Sequence, residues 1–162
     1  MTIHELLTNF ASKRILVVGD VMIDAYTLGK VNRVSPEAPV PIVSLEKQEE
    51  RLGGAANVAL NLQALGATAL LCSVIGNDSH GKRLCELIAE QNMSTGGMVK
   101  SNDRVTTVKT RVIGNNQHLL RIDSEDTHTL TSQEETTFIA TVKQLLQTEQ
   151  IDAIIFEDYN KG

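Results

Sequence analysis

The sequence predicts an α/β fold in which a parallel sheet is covered by helices on both faces, and three observations carry that expectation. First, the runs Ile15–Val18, Ala69–Ile75 and Ile151–Phe156 are apolar but for Ser73 and Asp152 and carry β-branched residues, as strands buried on both faces do. Second, helix-spaced segments with capping residues stand between them. Third, residues 25–51 and 105–122 alternate polar and apolar character and carry turn residues, so they read as β structure outside the parallel sheet.

Taken in order, Ile15–Val18 ends in Gly19-Asp20, a buried strand running into a loop. In the next segment Pro36, Pro39 and Pro41 exclude a helix and disfavour a central strand, because proline donates no ladder hydrogen bond. Edge strands or a flap are expected there. Gly53-Gly54 leads into an apolar helix over residues 55–65, with Gly66 placed to cap its end. After the second buried strand, Asp78 or Ser79 can cap a helix over residues 80–91, whose Leu84, Leu87 and Ile88 form an apolar stripe. Residues 105–113 and 118–122 flank the turn-prone Gly114-Asn-Asn-Gln117 and read as a hairpin. Thr131-Ser-Gln-Glu134 has capping-box spacing and opens a helix to about Thr148, before the third buried strand.

With 162 residues, 41% hydrophobic and 22% charged, the chain has the composition of one globular domain. A net charge of -5 without a Lys/Arg cluster argues against nucleic-acid binding. No apolar stretch reaches membrane-span length, and MTIHELLTNFASKR lacks the pattern of a secretory signal. A cytoplasmic protein that binds neither nucleic acid nor membrane is expected. Cys72 and Cys85 read as free thiols, and His4, His80, His118 and His128 lack metal-ligand spacing. No metal site is assigned.

In parallel α/β sheets ligands collect beyond the carboxyl ends of the strands. The polar residues there are Asp20 and Asp24 after the first strand, Gly53, Gly54 and Asn57 at a helix start, and Asp158 and Lys161 after the last strand. A carboxylate accepts from two sugar hydroxyls and an asparagine both donates and accepts, which is the chemistry of polyol recognition. On their own, Asp20 also suits a turn and Gly53-Gly54 a tight bend. Gly-Gly-Ala-Ala-Asn57 matches neither a Walker P-loop nor a dinucleotide fingerprint, so no nucleotide is expected at that bend.

Four stretches together resemble the ribokinase-like (PfkB) carbohydrate kinases: Gly19-Asp-Val-Met-Ile-Asp24, Ser35-Pro-Glu-Ala-Pro-Val-Pro41, Leu52-Gly-Gly-Ala-Ala-Asn57 and Asp158-Tyr-Asn-Lys-Gly162. Within that family the likeness is strongest to the kinase domain of bifunctional heptose 7-phosphate kinase/heptose 1-phosphate adenylyltransferases. The resemblance implies a ribokinase-like parallel sheet flanked by helices, a small β lid over residues 25–51 and 105–122, and a homodimer. It implies sugar contacts by Asp24, Gly53 and Asn57, with Gly54 in the same loop and Asp20 following in this subfamily. A sugar phosphate needs cations, and Arg33, Lys109, Arg111 and Lys161 lie in the lid segments or the terminal loop. Asp158 suits either substrate or magnesium organisation or a loop cap.

The same resemblance implies ATP and Mg2+ as the phosphoryl donor system of the full-length protein. The family's Gly-Ala-Gly-Asp motif, which carries the general-base aspartate, does not occur in residues 1–162, nor does its Asn-x-x-Glu element. Residues 1–162 therefore read as the N-terminal, sugar-binding part of a kinase domain. The base and the ATP-binding part are expected beyond Gly162, and no bound cofactor or turnover is expected of this chain. Another ribokinase-like sugar or nucleoside kinase, or a non-catalytic sugar-binding or dimerisation module, would share these features.

Overall fold

A computed structural model describes residues 2–161. Along the chain it forms α1 (Ile3–Phe10), β1 (Arg14–Gly19), β2 (Val21–Val34), β3 (Pro41–Gly54), α2 (Ala55–Ala64), β4 (Thr68–Gly76), α3 (Ser79–Glu90), β5 (Met98–Ser101), β6 (Val108–Gly114), β7 (Gln117–Ser124), α4 (Ser132–Thr148) and β8 (Ala153–Glu157). The strands make two four-stranded sheets. The first runs β5-β4-β1-β8 with every neighbouring pair parallel. The second runs β3-β2-β6-β7, with β2 and β6 parallel and the outer pairs antiparallel.

Alternation along β1 divides the core in two. Ile15 and Val17 face α2 and α3, where Ala55, Ala59, Leu62, Leu84 and Ile88 pack; Leu16 and Val18 face α4, meeting Phe138, Val142 and Leu145. Helices on both faces explain why β1 and β4 are apolar throughout. The edge strand β8 is different. Its Ile155 packs towards α2 and α3, while Ile154 and Phe156 remain 40% and 75% exposed.

The caps follow the local chemistry. Asp78 caps α3 by accepting from the Gly81 N–H at 2.6 Å, and Thr131 with Glu134 closes the capping box that starts α4. Gly66 takes the left-handed backbone (φ +96°) that ends α2. Both cysteines are free, and burial pushes the Cys72 thiol up to about 12. Among the described residues no helix is long and apolar enough to cross a membrane.

The second sheet starts earlier than the alternation suggests. β2 begins at Val21, and its first three residues are buried in the body before the strand becomes polar, so residues 21–24 belong to both sheets' surroundings. In contrast, β6 begins at Val108, because Thr106 is turned inward. Its hydroxyl donates to Asp78 Oδ1 at 2.8 Å and its N–H to Asp78 Oδ2 at 2.9 Å, and the Gly76 N–H donates to its Oγ1 at 3.0 Å. Thr106, 1% exposed, thereby ties the second sheet to the end of β4 and the start of α3. Burial opposes ionisation of Asp78, but these bonds and the Gly81 N–H outweigh it and hold its pKa below the usual range. Pro41 opens the outer strand β3, while Pro36 and Pro39 lie in the connection between β2 and β3.

Candidate functional site

The backbone crosses between the two sheets at two adjacent points. Asp20 is the single residue between β1 and β2, and Gly53-Gly54 closes β3 just before α2. The crossings are paired side by side, with Val21 opposite Gly54, Met22 opposite Gly53 and Asp24 opposite Arg51. The Ala55 N–H donates to the Asp20 carbonyl at 2.9 Å. A Cβ on Gly54 (φ +58°) would lie 2.2 Å from that carbonyl oxygen, and one on Gly53 would lie 2.6 Å from Asp24 Oδ2. Two glycines are needed because one carbonyl and one carboxylate approach their backbone too closely for any side chain. Asn57 follows in the first turn of α2, exposed, and among the described residues its amide has no hydrogen-bond partner. No side chain caps the N-terminus of α2.

The carboxylates differ in what occupies them. Asp20 Oδ2 accepts the N–H groups of Tyr159 at 2.8 Å and Lys161 at 3.2 Å, so it shapes the loop after β8. Asp158 Oδ1 accepts the Asn160 N–H at 2.6 Å, a local turn. Asp24 is the open one: Oδ2 rests against Gly53, and Oδ1 accepts from Arg111 Nη1 at 2.5 Å. Arg111 on β6 and Arg51 on β3 also flank Tyr26, 5.2 and 4.9 Å from its ring centroid.

Lys109 and Lys161, distant in sequence, meet through Glu125. Lys109 Nζ donates to Asp123 Oδ2 at 3.0 Å and Glu125 Oε2 at 2.9 Å, and Lys161 Nζ donates to Glu125 Oε1 at 2.9 Å. Burial acts against the Lys109 charge, but the bonds from Glu125 and Asp123 outweigh it and raise its pKa; Lys161, then Lys109, lower that of Glu125. Glu125 thus joins Lys109 to Lys161, whose N–H reaches Asp20, and Lys109 stands opposite Asp24 in the register of β2 on β6, which brings this network alongside the Asp24–Arg111 pair. Arg33 stands apart. It is exposed opposite Ile42, nine residues further along β2 than Asp24, which separates the two by roughly 30 Å of strand.

Sequence reasoning named Arg111 without its partner and left out Arg104. Arg111 is one of several second-sheet cations in the sequence, and only the register of β2 on β6 shows that it meets Asp24. Arg104 had no signal at all. Its guanidinium, 6% exposed, donates to the carbonyls of Lys161 at 3.0 Å and His128 at 3.1 Å, and its Nε faces Glu134 Oε1 at 3.7 Å. Arg104 therefore clamps the loop that Asp20 organises. It also lines a cleft of about 360 Å3 at the carboxyl ends of the parallel strands, beside Asp20, Asp158 and Phe156.

Glu134 carries a prediction. The Ser101 hydroxyl, then Thr131 and the Arg104 charge, outweigh burial and hold it at about 2, against an ordinary 4.5. A depressed folded-state pKa adds stability that is full above pH 4.5 and lost as pH falls through about 2, on the order of 3 kcal/mol for this group. Unfolding measured against pH should show this acid loss in the parent and a flatter limb in Glu134→Gln. Parallel curves would contradict the assignment.

Among the described residues no group of three or more His, Cys, Asp or Glu side chains is placed to hold a metal ion.

Among known proteins, the pattern of the pfkB family carbohydrate kinases matches residues 12–156. The chain is 45% identical over 152 residues to a D-beta-D-heptose 7-phosphate kinase of Bordetella bronchiseptica, covering 94% of this chain and 47% of that protein. It is 43% identical over 150 residues to the bifunctional protein HldE of Helicobacter pylori strain G27, covering 93% of this chain and 32% of that protein. The chain thus spans from a third to a half of the length of these relatives. Among solved structures, phosphofructokinase-2 from Escherichia coli, in a tetrameric inhibited form, superposes with a TM-score of 0.61 at 18% identity, over 90% of this chain and 44% of that one. The Arabidopsis thaliana ribokinase complexed with ribose and ATP gives 0.56 at 17%, over 80% and 43%. At these identities the structures attest the ribokinase-like fold.

Proposed function

Because this chain belongs to the pfkB family of carbohydrate kinases, we propose that the double crossing between its sheets grips the acceptor sugar, and that this sugar is a heptose 7-phosphate. One observation carries the site assignment: Asp24 lies against Gly53 with no main-chain donor on its carboxylate, whereas Asp20 and Asp158 are taken up by the loop. The identity to a heptose 7-phosphate kinase supports the choice of sugar.

In this reading Asp24 accepts two ring hydroxyls, the Gly53-Gly54 backbone lets the sugar lie close, and Asn57 donates and accepts at a third. Lys109 and Lys161 line the same network, and Asp20 holds Lys161 in place. Arg33 is not part of this site in a single copy of the chain. In the full-length protein the acceptor's anomeric hydroxyl would take the γ-phosphoryl group of Mg-ATP, giving a 1,7-bisphosphate for ADP-heptose and lipopolysaccharide core synthesis. Positioning and charge stabilisation dominate such transfers. No residue of this chain is assigned to ATP, to magnesium or to the general base. A cytoplasmic homodimer, paired through the second sheet or the exposed edge of β8, belongs to the same proposal.

Calorimetric titration tests the sugar. D-glycero-D-manno-heptose 7-phosphate should bind at least about tenfold more tightly than ribose or fructose 6-phosphate, a difference of one or two hydrogen bonds. Tighter binding of either competitor would overturn the substrate choice. Adding Mg-ATP to this chain with the heptose phosphate should give no bisphosphate. Turnover would contradict the placing of the base outside these residues.

A further inference from the structure

The pairing of Arg111 with Asp24 has no role in the acceptor-site reading, although its significance for binding rests on that reading. Of two hydroxyls donating to Asp24, the one at Oδ1 meets an oxygen already bonded to Arg111 Nη1 at 2.5 Å. Arg111 cannot shed its proton, and a guanidinium only donates. Once displaced, it needs another acceptor.

The neighbouring charges do not supply one. On β3, Arg51 is bonded to Glu49. Lys109, beside Arg111 on β6, is bonded to Asp123 and Glu125, and Arg121, opposite Arg111 on β7, to Asp123. Each of those cations keeps a carboxylate that the sugar does not claim; Arg111 alone among them is paired with one that it does. The four acids Asp24, Glu49, Asp123 and Glu125 are shared among six cations, Lys47 on Glu49 and Lys161 on Glu125 besides Arg51, Lys109, Arg111 and Arg121, so every one of these carboxylates is already engaged. A neutral sugar entering this face, where cations outnumber acids, leaves Arg111 without a direct partner. A phosphorylated sugar brings an acceptor that suits the planar fork. Tyr26, 5.2 Å away, gives the guanidinium a ring to slide against as it turns.

We propose that Arg111 is an exchangeable counter-ion that selects phosphorylated sugars: it caps Asp24 in the sugar-free protein and moves to the sugar phosphate when hydroxyls take Asp24. The protein then discriminates against neutral sugars before any chemistry, because only a phosphate replaces the ion pair that binding breaks.

The test compares D-glycero-D-manno-heptose 7-phosphate with the unphosphorylated heptose by calorimetry, in the parent, Arg111→Gln and Arg111→Lys. The parent should prefer the phosphate by tenfold or more, within the range of a charge-assisted hydrogen bond. In Arg111→Gln the phosphate should lose roughly ten- to a hundredfold, while the neutral heptose should bind as well or several-fold better, because Asp24 is uncapped. Arg111→Lys, which keeps the charge without the fork, should fall between them, and it decides the matter if Arg111→Gln does not fold. An unchanged preference, or an equal loss for both sugars, would overturn the exchange. If the parent binds neither sugar, the acceptor-site reading itself fails.

Discussion

Asp24→Asn should reduce binding of the heptose phosphate by a hundredfold or more. A carboxylate accepts from two hydroxyls at once, and each charge-assisted hydrogen bond contributes about 1.5–3 kcal/mol. Asparagine keeps the shape but presents one acceptor and turns an NH2 donor towards a hydroxyl that must also donate. The fold should survive, because Asp24 is half-buried at the edge of the core and not within it. Thermal unfolding beside calorimetry checks both halves of the expectation. Undiminished affinity in a folded variant would remove Asp24 from the site. Replacement of Asp20 should behave differently, loosening the loop over residues 158–161 and lowering affinity indirectly, since its carboxylate holds the N–H groups of Tyr159 and Lys161.

The second large effect concerns the bend. Gly54→Ala should cost about 3 kcal/mol or more of stability, because φ +58° with ψ -137° is open to glycine alone and the new Cβ would stand 2.2 Å from the Asp20 carbonyl oxygen. That carbonyl is backbone and holds Ala55 at the start of α2, so it cannot move aside without breaking the crossing. For a chain of this size the loss corresponds to a fall of roughly 10 °C in Tm. Gly53→Ala should destabilise less, since its Cβ meets the movable Asp24 carboxylate and the Met22 side chain, at 2.6 and 2.8 Å. It should still impair sugar binding by displacing Asp24. A melting temperature within about 2 °C of the parent for Gly54→Ala would show that the bend is not constrained as described.

Much of this architecture was legible in the sequence, for identifiable reasons. β1 and β4 are apolar on both faces because α2 and α3 lie on one side and α4 on the other, and that burial writes a continuous run. Asp78 and the Thr131–Glu134 box marked helix starts because the first amides need acceptors. α1 escaped notice despite its own capping box, being only eight residues long. β5 has four residues, too few for periodicity to register, and it is placed by Gly97, whose missing side chain admits the Leu71 carbonyl.

At the site the division is similar. Asp24 and Gly53 could be paired from family resemblance, but the Arg111–Asp24 contact joins residues 87 positions apart and depends on the parallel register of β2 on β6. The Lys109–Glu125–Lys161 bridge depends on the β6–β7 pairing and on where the loop after β8 lies, and Arg104 is read in sequence only as one more charge before a β-branched run. Long-range electrostatic partners leave no local pattern, whereas glycines forced by close approach do.

The most direct test of sugar binding at the crossing is an amide NMR titration of this chain with D-glycero-D-manno-heptose 7-phosphate. The backbone signals of Asp20, Asp24, Gly53, Gly54 and Asn57, together with Lys109 and Arg111, should shift saturably. Those of residues 33–42 at the far end of the second sheet should not. Shifts confined to other surfaces, or none at millimolar sugar, would contradict the claim that the crossing between the two sheets holds the sugar.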